Sequence, residues 1–191
     1  MKYPGITLGR VEAVWNKLGG EDGVDRFLRG ELAVAEPIRQ WSEKDGVIYF
    51  SVMSDGTTGP AWISRLERNK FDLSKWAKDV PNSSDFKPTS GVTYNIAVLK
   101  GMLFNDSDRV TKNIRAEANK RKFMKPNAEV ACLIREKFSD EEIEAMGLWW
   151  VITMHEPIKD SDGFPRLLGA DRFGDGRGLD AYYDNPDSRW D

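Results

Sequence analysis

Leu8, Val11, Trp15 and Leu18 recur at helical spacing, and Gly19-Gly20 stops the pattern. Val24, Phe27, Leu28 and Leu32 repeat it, so residues 1–35 are expected to form a helical hairpin. The period then fails. Ala33–Lys44 shows no regular alternation and contains Pro37, as a linker or crossing segment would. Val47–Met53 is mostly apolar and rich in β-formers, which predicts a buried strand. A polar loop, Ser54-Asp-Gly-Thr-Thr-Gly59, leads into a helix with Pro60 in its first turn and Trp62, Ile63 and Leu66 facing inward.

Leu73, Trp76, Ala77 and Val80 align on a shorter helix that Pro81 ends, and Val92–Leu99 reads as a second strand. A longer helix is expected from Asp106-Ser107 to about Arg121, with Val110, Ile114 and Ala118 on its apolar side. Asn127 is placed to cap the next helix, on which Val130, Leu133 and Ile134 point inward. Ser139-Asp-Glu-Glu142 has the form of a capping box, and Gly147 closes the short helix that follows. Leu148–Met154 is apolar on both faces, as a central strand would be. Asp160-Ser-Asp-Gly163 reads as a turn, with Arg166–Ala170 returning as a hairpin strand. The expected class is α/β or α+β: a partly parallel sheet of three or more strands, flanked by helices, over residues 45–191.

Composition narrows the chemistry more than it names it. The 191 residues are 40% hydrophobic and 31% charged, enough for a core and a solvated surface, and the net charge of −3 gives no general attraction to nucleic acid or anionic lipid. No apolar run has the roughly 18 residues of a membrane span, and the first residues lack a signal-peptide core. One cysteine, Cys132, and one histidine, His155, exclude an internal disulfide and multi-thiolate or multi-histidine metal sites. Both counts fit a cytoplasmic protein. No metal or cofactor is expected. Seven tryptophans are rich for this length; they suit core packing or a stacking surface.

The stretches Gly91–Phe104, Ala128–Trp150 and Met154–Gly163 resemble a family of bacterial proteins of unknown function, with similarity over residues 45–190. The resemblance implies a folded bacterial protein whose relatives run on past Trp190 into a further apolar strand. It carries over no activity and no catalytic residue.

Candidate chemistry rests on strand direction. Helices separate the three strands, and parallel strands need such crossovers. Parallel strands would bring Asp55, Thr57 and Thr58, then Lys100, then His155 and Glu156 to one edge of the sheet. That set offers hydroxyls and helix N–H groups for an anion, a cation, and a His/carboxylate group for proton transfer. A basic stripe, including Arg109, Lys112 and Arg115, adds seven cations between residues 109 and 125 against Glu117 alone. It is either a solvated face or a surface for a small anionic ligand or an acidic partner. From Glu156 onward nine acids face five bases, so the tail could pack on this helix instead.

The leading expectation is a non-enzymatic module for a small anionic or nucleotide-like ligand or an acidic partner, using Asp55, Thr57, Thr58, Lys100, Arg109, Lys112 and Arg115. The second is an acid–base hydrolase or transferase using Asp55, His155 and Glu156. The third is a DNA-associated regulator, because Lys17–Leu28 is similar in pattern to a helix-turn-helix, although Asp22, Asp25 and Glu31 oppose Arg26 and Arg29. Gly56-Thr-Thr-Gly59 lacks the spacing of a phosphate-binding P-loop, and no dinucleotide or nucleophile-elbow motif is present. Asp160–Gly163 holds only part of a calcium-loop pattern. Gly174-Asp-Gly-Arg-Gly178 is glycine-rich in the manner of surface loops.

Overall fold

The N-terminal hairpin consists of α1 (Leu8–Leu18) and α2 (Gly20–Leu28). These elements belong to a computed structural model that describes residues 7–33, 39–172 and 178–190; Pro37 and residues 174–177 of the glycine-rich run lie outside them. Contacts divide the chain into two units, Met1–Arg39 and Gln40–Asp191. In the first, Thr7 caps α1 through a hydrogen bond from Arg10 N–H, and Gly19 takes the left-handed conformation (φ 93°) that joins the helices directly. Gly23 is required by close approach, since a Cβ there would stand 1.6 Å from the Leu18 carbonyl oxygen. A helix-turn-helix needs a three- or four-residue turn. The single-residue joint at Gly19 does not supply one.

The second unit is α+β, with two sheets. The first has the order β1 (Ser42–Lys44), β2 (Val47–Asp55), β4 (Ser90–Leu99), all antiparallel. The second runs β3 (Asp72–Leu73), β8 (Gly178–Tyr183), β7 (Pro165–Asp171), β5 (Trp150–Ile152), with β6 (Ile158–Lys159) also on β7. The β3–β8 pair is parallel and the other pairings are antiparallel. Helices α3 (Gly59–Arg68) and α4 (Lys75–Asn82) lie between β2 and β4 in sequence. After β4 come two 3₁₀ turns and then α5 (Thr111–Lys120), which begins later than its sequence pattern suggests because Asp106–Asp108 forms the second of those turns.

At the centre is α6 (Glu129–Lys137), in which every residue from Glu129 to Arg135 is buried. It touches β2 of one sheet and β7 and β8 of the other. A helix covered on all sides has no amphipathic stripe to display. Cys132 sits here, fully buried, and burial pushes its thiol far above the ordinary range, so it is an inert core residue. Arg135 is also fully buried; it donates to the Asp171 and Phe138 carbonyls and pairs with Asp140. Next, α7 (Asp140–Ala145) carries the complete capping box of Ser139 and Glu142 and ends at Gly147 (φ 74°). Leu148 N–H reaches back to the Ile143 carbonyl, turning the chain into β5.

The parallel arrangement of the three predicted strands is not found. Val47 faces Leu99 and Asp55 faces Ser90, so β2 and β4 run in opposite directions, while β5 belongs to the other sheet. Intervening helices permit a crossover, but they do not require one.

Candidate functional site

The sequence-predicted constellation separates into three local networks. In the first, Asp55 Oδ1 accepts from Thr57 N–H (3.0 Å) and Thr57 Oγ1–H (2.5 Å), and Oδ2 pairs with Arg65. The Thr57 hydroxyl and Arg65 hold the carboxyl down at about 2. Arg65 in turn grips Glu136 with Nε and Nη2, both at 2.6 Å. Thr58 is the N-cap of α3 but its side chain makes no capping bond. The glycines of this loop serve conformation and packing. Gly56 has φ 83°, and a Cβ on Gly59 would lie 1.8 Å from the Pro81 carbonyl oxygen.

The second network contains Lys100, which follows the far end of β4. Its Nζ is 3.1 Å from Glu43 Oε1, at the β1 side of the sheet and opposite to Asp55. The third contains His155, which is 1% exposed. Leu168 N–H donates to His155 Nε2 (2.9 Å), and Nδ1–H donates to the Glu156 carbonyl (2.7 Å). Burial lowers the imidazole pKa and both ring nitrogens are occupied by backbone, so this is a neutral structural histidine. The Glu156 carboxylate points elsewhere and pairs with Lys125, which lowers its pKa. No hydrogen bond or ion pair links the side chains of Asp55, His155 and Glu156 to one another, and the acid–base set is not assembled.

Most of the basic stripe is neutralised by the chain itself. Arg109 pairs with Asp106 (2.9 Å), Lys112 with Asp187 (2.7 Å), and Arg121 with Glu117 (2.6 Å). The acidic tail lies along α5: Thr111 N–H donates to the Ser188 carbonyl and Lys112 N–H to that of Pro186. Val110 and Arg189 form an antiparallel bridge. Among the described residues no group of three or more His, Cys, Asp or Glu is placed to hold a metal ion. Asp160, the first residue of the calcium-like run, instead accepts from Asp162 and Phe164 N–H and pairs with Arg166.

The structure also forms a cavity of about 420 Å³ that sequence reasoning missed. This volume lies in the ordinary range for small-molecule sites, roughly 300–1,000 Å³. Two of its walls are sheet edges, Ile96–Leu99 on β4 and Trp150–Ile152 on β5. Val130 and Ile134 of α6 and Ile114 of α5 also line it, with Trp149, Phe123 and Trp190. Its placement explains a burial difference across the first sheet. Ile48 and Phe50 of β2 are buried, whereas their partners Val98 and Ile96 on the β4 edge are half-buried.

Two polar side chains lining this cavity are incompletely satisfied. Thr153 is 4% exposed and its Oγ1 has no hydrogen-bond partner. Arg115, part of the predicted basic stripe, has Nε and Nη2 buried without partners. Its Nη1 stands 3.1 Å from Asp184 Oδ1, an attraction between charges without hydrogen-bond alignment. Arg109 also lines the cavity, but its Nε is committed to the Gly101 carbonyl and its Nη2 to Asp106. Leaving buried donors unpaired costs about 1–3 kcal/mol each, more when charged, so the Nε and Nη2 of Arg115 are a costly point in the packing around the cavity.

No family model matches the chain, and searches of curated proteins and of solved structures find no match. No helix among the described residues is long and apolar enough to cross a membrane.

Proposed function

We propose that this protein is a non-enzymatic binding module of the bacterial cytoplasm, and that its ligand is a small amphipathic anion held in the cavity between β4, β5, α5 and α6. The observation that carries this reading is a cavity of about 420 Å³ with apolar and aromatic walls and two arginines, Arg109 and Arg115, among its lining residues. Such a site rewards a ligand with an apolar body and one acidic group: the body leaves water and the anion is attracted to a guanidinium. Of the seven ligand-binding residues expected from the sequence, Arg109 and Arg115 line this cavity, while Asp55, Thr57, Thr58, Lys100 and Lys112 do not. A nucleotide is less well matched, because the cations around Arg115 already have partners of their own.

Thermal unfolding with a panel of apolar monoanions tests the proposal. A ligand that binds the folded state alone, present at a hundred times its Kd, adds about 2.7 kcal/mol of stability. The midpoint should rise with such compounds and fall back in the Arg115→Met variant. A panel of alkyl and aryl anions that leaves the wild-type midpoint unmoved refutes the reading.

A further inference from the structure

Register fixes where the backbone of β4 points. Lys100 N–H donates to the Gly46 carbonyl, and Val47 stands opposite Leu99. In an antiparallel ladder, residues that bond to the partner strand alternate with residues whose N–H and C=O face the other way. Ile96 and Val98 therefore bond to β2, and Ala97 and Leu99 turn their backbone groups to the open edge. The same count applies to β5. Arg172 N–H donates to the Trp149 carbonyl and Thr153 N–H to that of Leu168, so Val151 faces β7 and Ile152 faces away from it.

Those two open edges are walls of the cavity. Side chains on a strand alternate between its faces, yet Ile96, Ala97, Val98 and Leu99 all line the space, as does the unbroken run Trp150–Ile152. A space that touches consecutive residues of both faces lies beside the strand's edge. Among the described residues, no backbone hydrogen bond outside the sheets takes up the outward groups of Ala97, Leu99 or Ile152. Met102, Met124 and Trp149 also line the cavity and are exposed, which adds apolar surface at its mouth. Methionine repacks readily around partners of different shape, and exposed apolar clusters mark binding surfaces.

An alkyl or aryl body would cover these walls and leave the edge donors and acceptors unmet. A second extended backbone meets both needs: its N–H and C=O groups recur at the spacing of β4, and its alternate side chains reach the two faces. Resting on the cavity reading above, we infer that the ligand is a short apolar peptide in extended conformation, paired with Ala97 and Leu99 of β4 and lying against Ile152 of β5. The peptide's terminal carboxylate is the acidic group of that reading.

Calorimetry on the wild-type protein tests this with three probes. They are an acetylated pentapeptide of alternating valine and alanine with a free carboxylate, the same peptide N-methylated at its amides, and a medium-chain alkyl carboxylate. The peptide should bind at least about ten-fold more tightly than either of the others, because only it can donate to the strand edge. Bound peptide should also slow amide hydrogen exchange at Ala97 and Leu99 far more than at Val98, which β2 already protects. An alkyl carboxylate or N-methylated peptide that binds as tightly as the peptide would overturn the peptide assignment while leaving the cavity reading intact. So would a bound peptide that leaves exchange at Ala97 and Leu99 unaltered. If none of the three binds, the cavity reading falls with it.

Discussion

His155 looked like a proton-transfer group because it is the only histidine and is followed by a glutamate. One of its two partners comes from elsewhere: Leu168 N–H, on β7, fills one side of the ring, and this could not be read from residues 155 and 156 alone. Burial holds the folded imidazole below its ordinary value of 6.5. Unfolded chains therefore take up a proton that folded chains refuse as pH falls below about 6.5. The contribution to stability is fully present above that pH and is lost as pH falls, by at most about 1.4 kcal/mol per pH unit. Urea unfolding between pH 7.5 and 5.5 should show this slope in the wild type and a shallower one in His155→Gln. Equal slopes would mean that the ring is not held neutral. Asp55 shows the opposite case, a carboxylate legible as a loop residue whose partner Arg65 sits nearly two helical turns into α3, where nothing marked it as a ligand for Asp55.

At the scale of elements, local signals worked where chemistry is local. The Ser139/Glu142 capping box needs four adjacent residues, and both of its hydrogen bonds are formed. Ser139→Ala should destabilise the protein by about 1 kcal/mol, within the range of about 0.5–2 kcal/mol for such caps, and chemical denaturation can measure it. A change well under that range would show that Glu142 alone holds the helix start. Strand direction was not legible in the same way. The chain from β2 passes through α3, β3 and α4 before it returns as β4, and that length allows either direction. The short strands β1, β3 and β6 escaped because two or three residues carry no period.

At the scale of the whole molecule, the C-terminal tail gives the basic helix its partners. Asp184 and Asp187 meet Arg115 and Lys112, and Trp190 Nε1–H donates to Thr111 Oγ1 at 2.9 Å. Trp190 also stacks edge-on with Tyr182, 5.7 Å between ring centroids, and lines the cavity. Trp190→Ala should therefore lower stability by about 1–3 kcal/mol, less than a fully buried tryptophan would, and weaken any ligand of the cavity. Denaturation curves that overlay those of the wild type would show that the tail does not hold α5.

What the sequence determined by itself was a set of pieces: the hairpin, the buried strand at Val47, the Ser139 capping box and the inward faces of α3 and α6. It left open whether the basic helix meets the acidic tail, and none of the apolar residues aligned on α1 is buried. The pieces follow from spacing, and spacing is set by backbone geometry within a few residues. Only the tertiary structure decided which pieces meet. Two sheet edges, β4 and β5, close on a cavity whose walls come from residues 96 to 190, and of the predicted binding residues Arg109 and Arg115 line it. A cavity is a property of what fails to touch, and chain spacing carries no record of that.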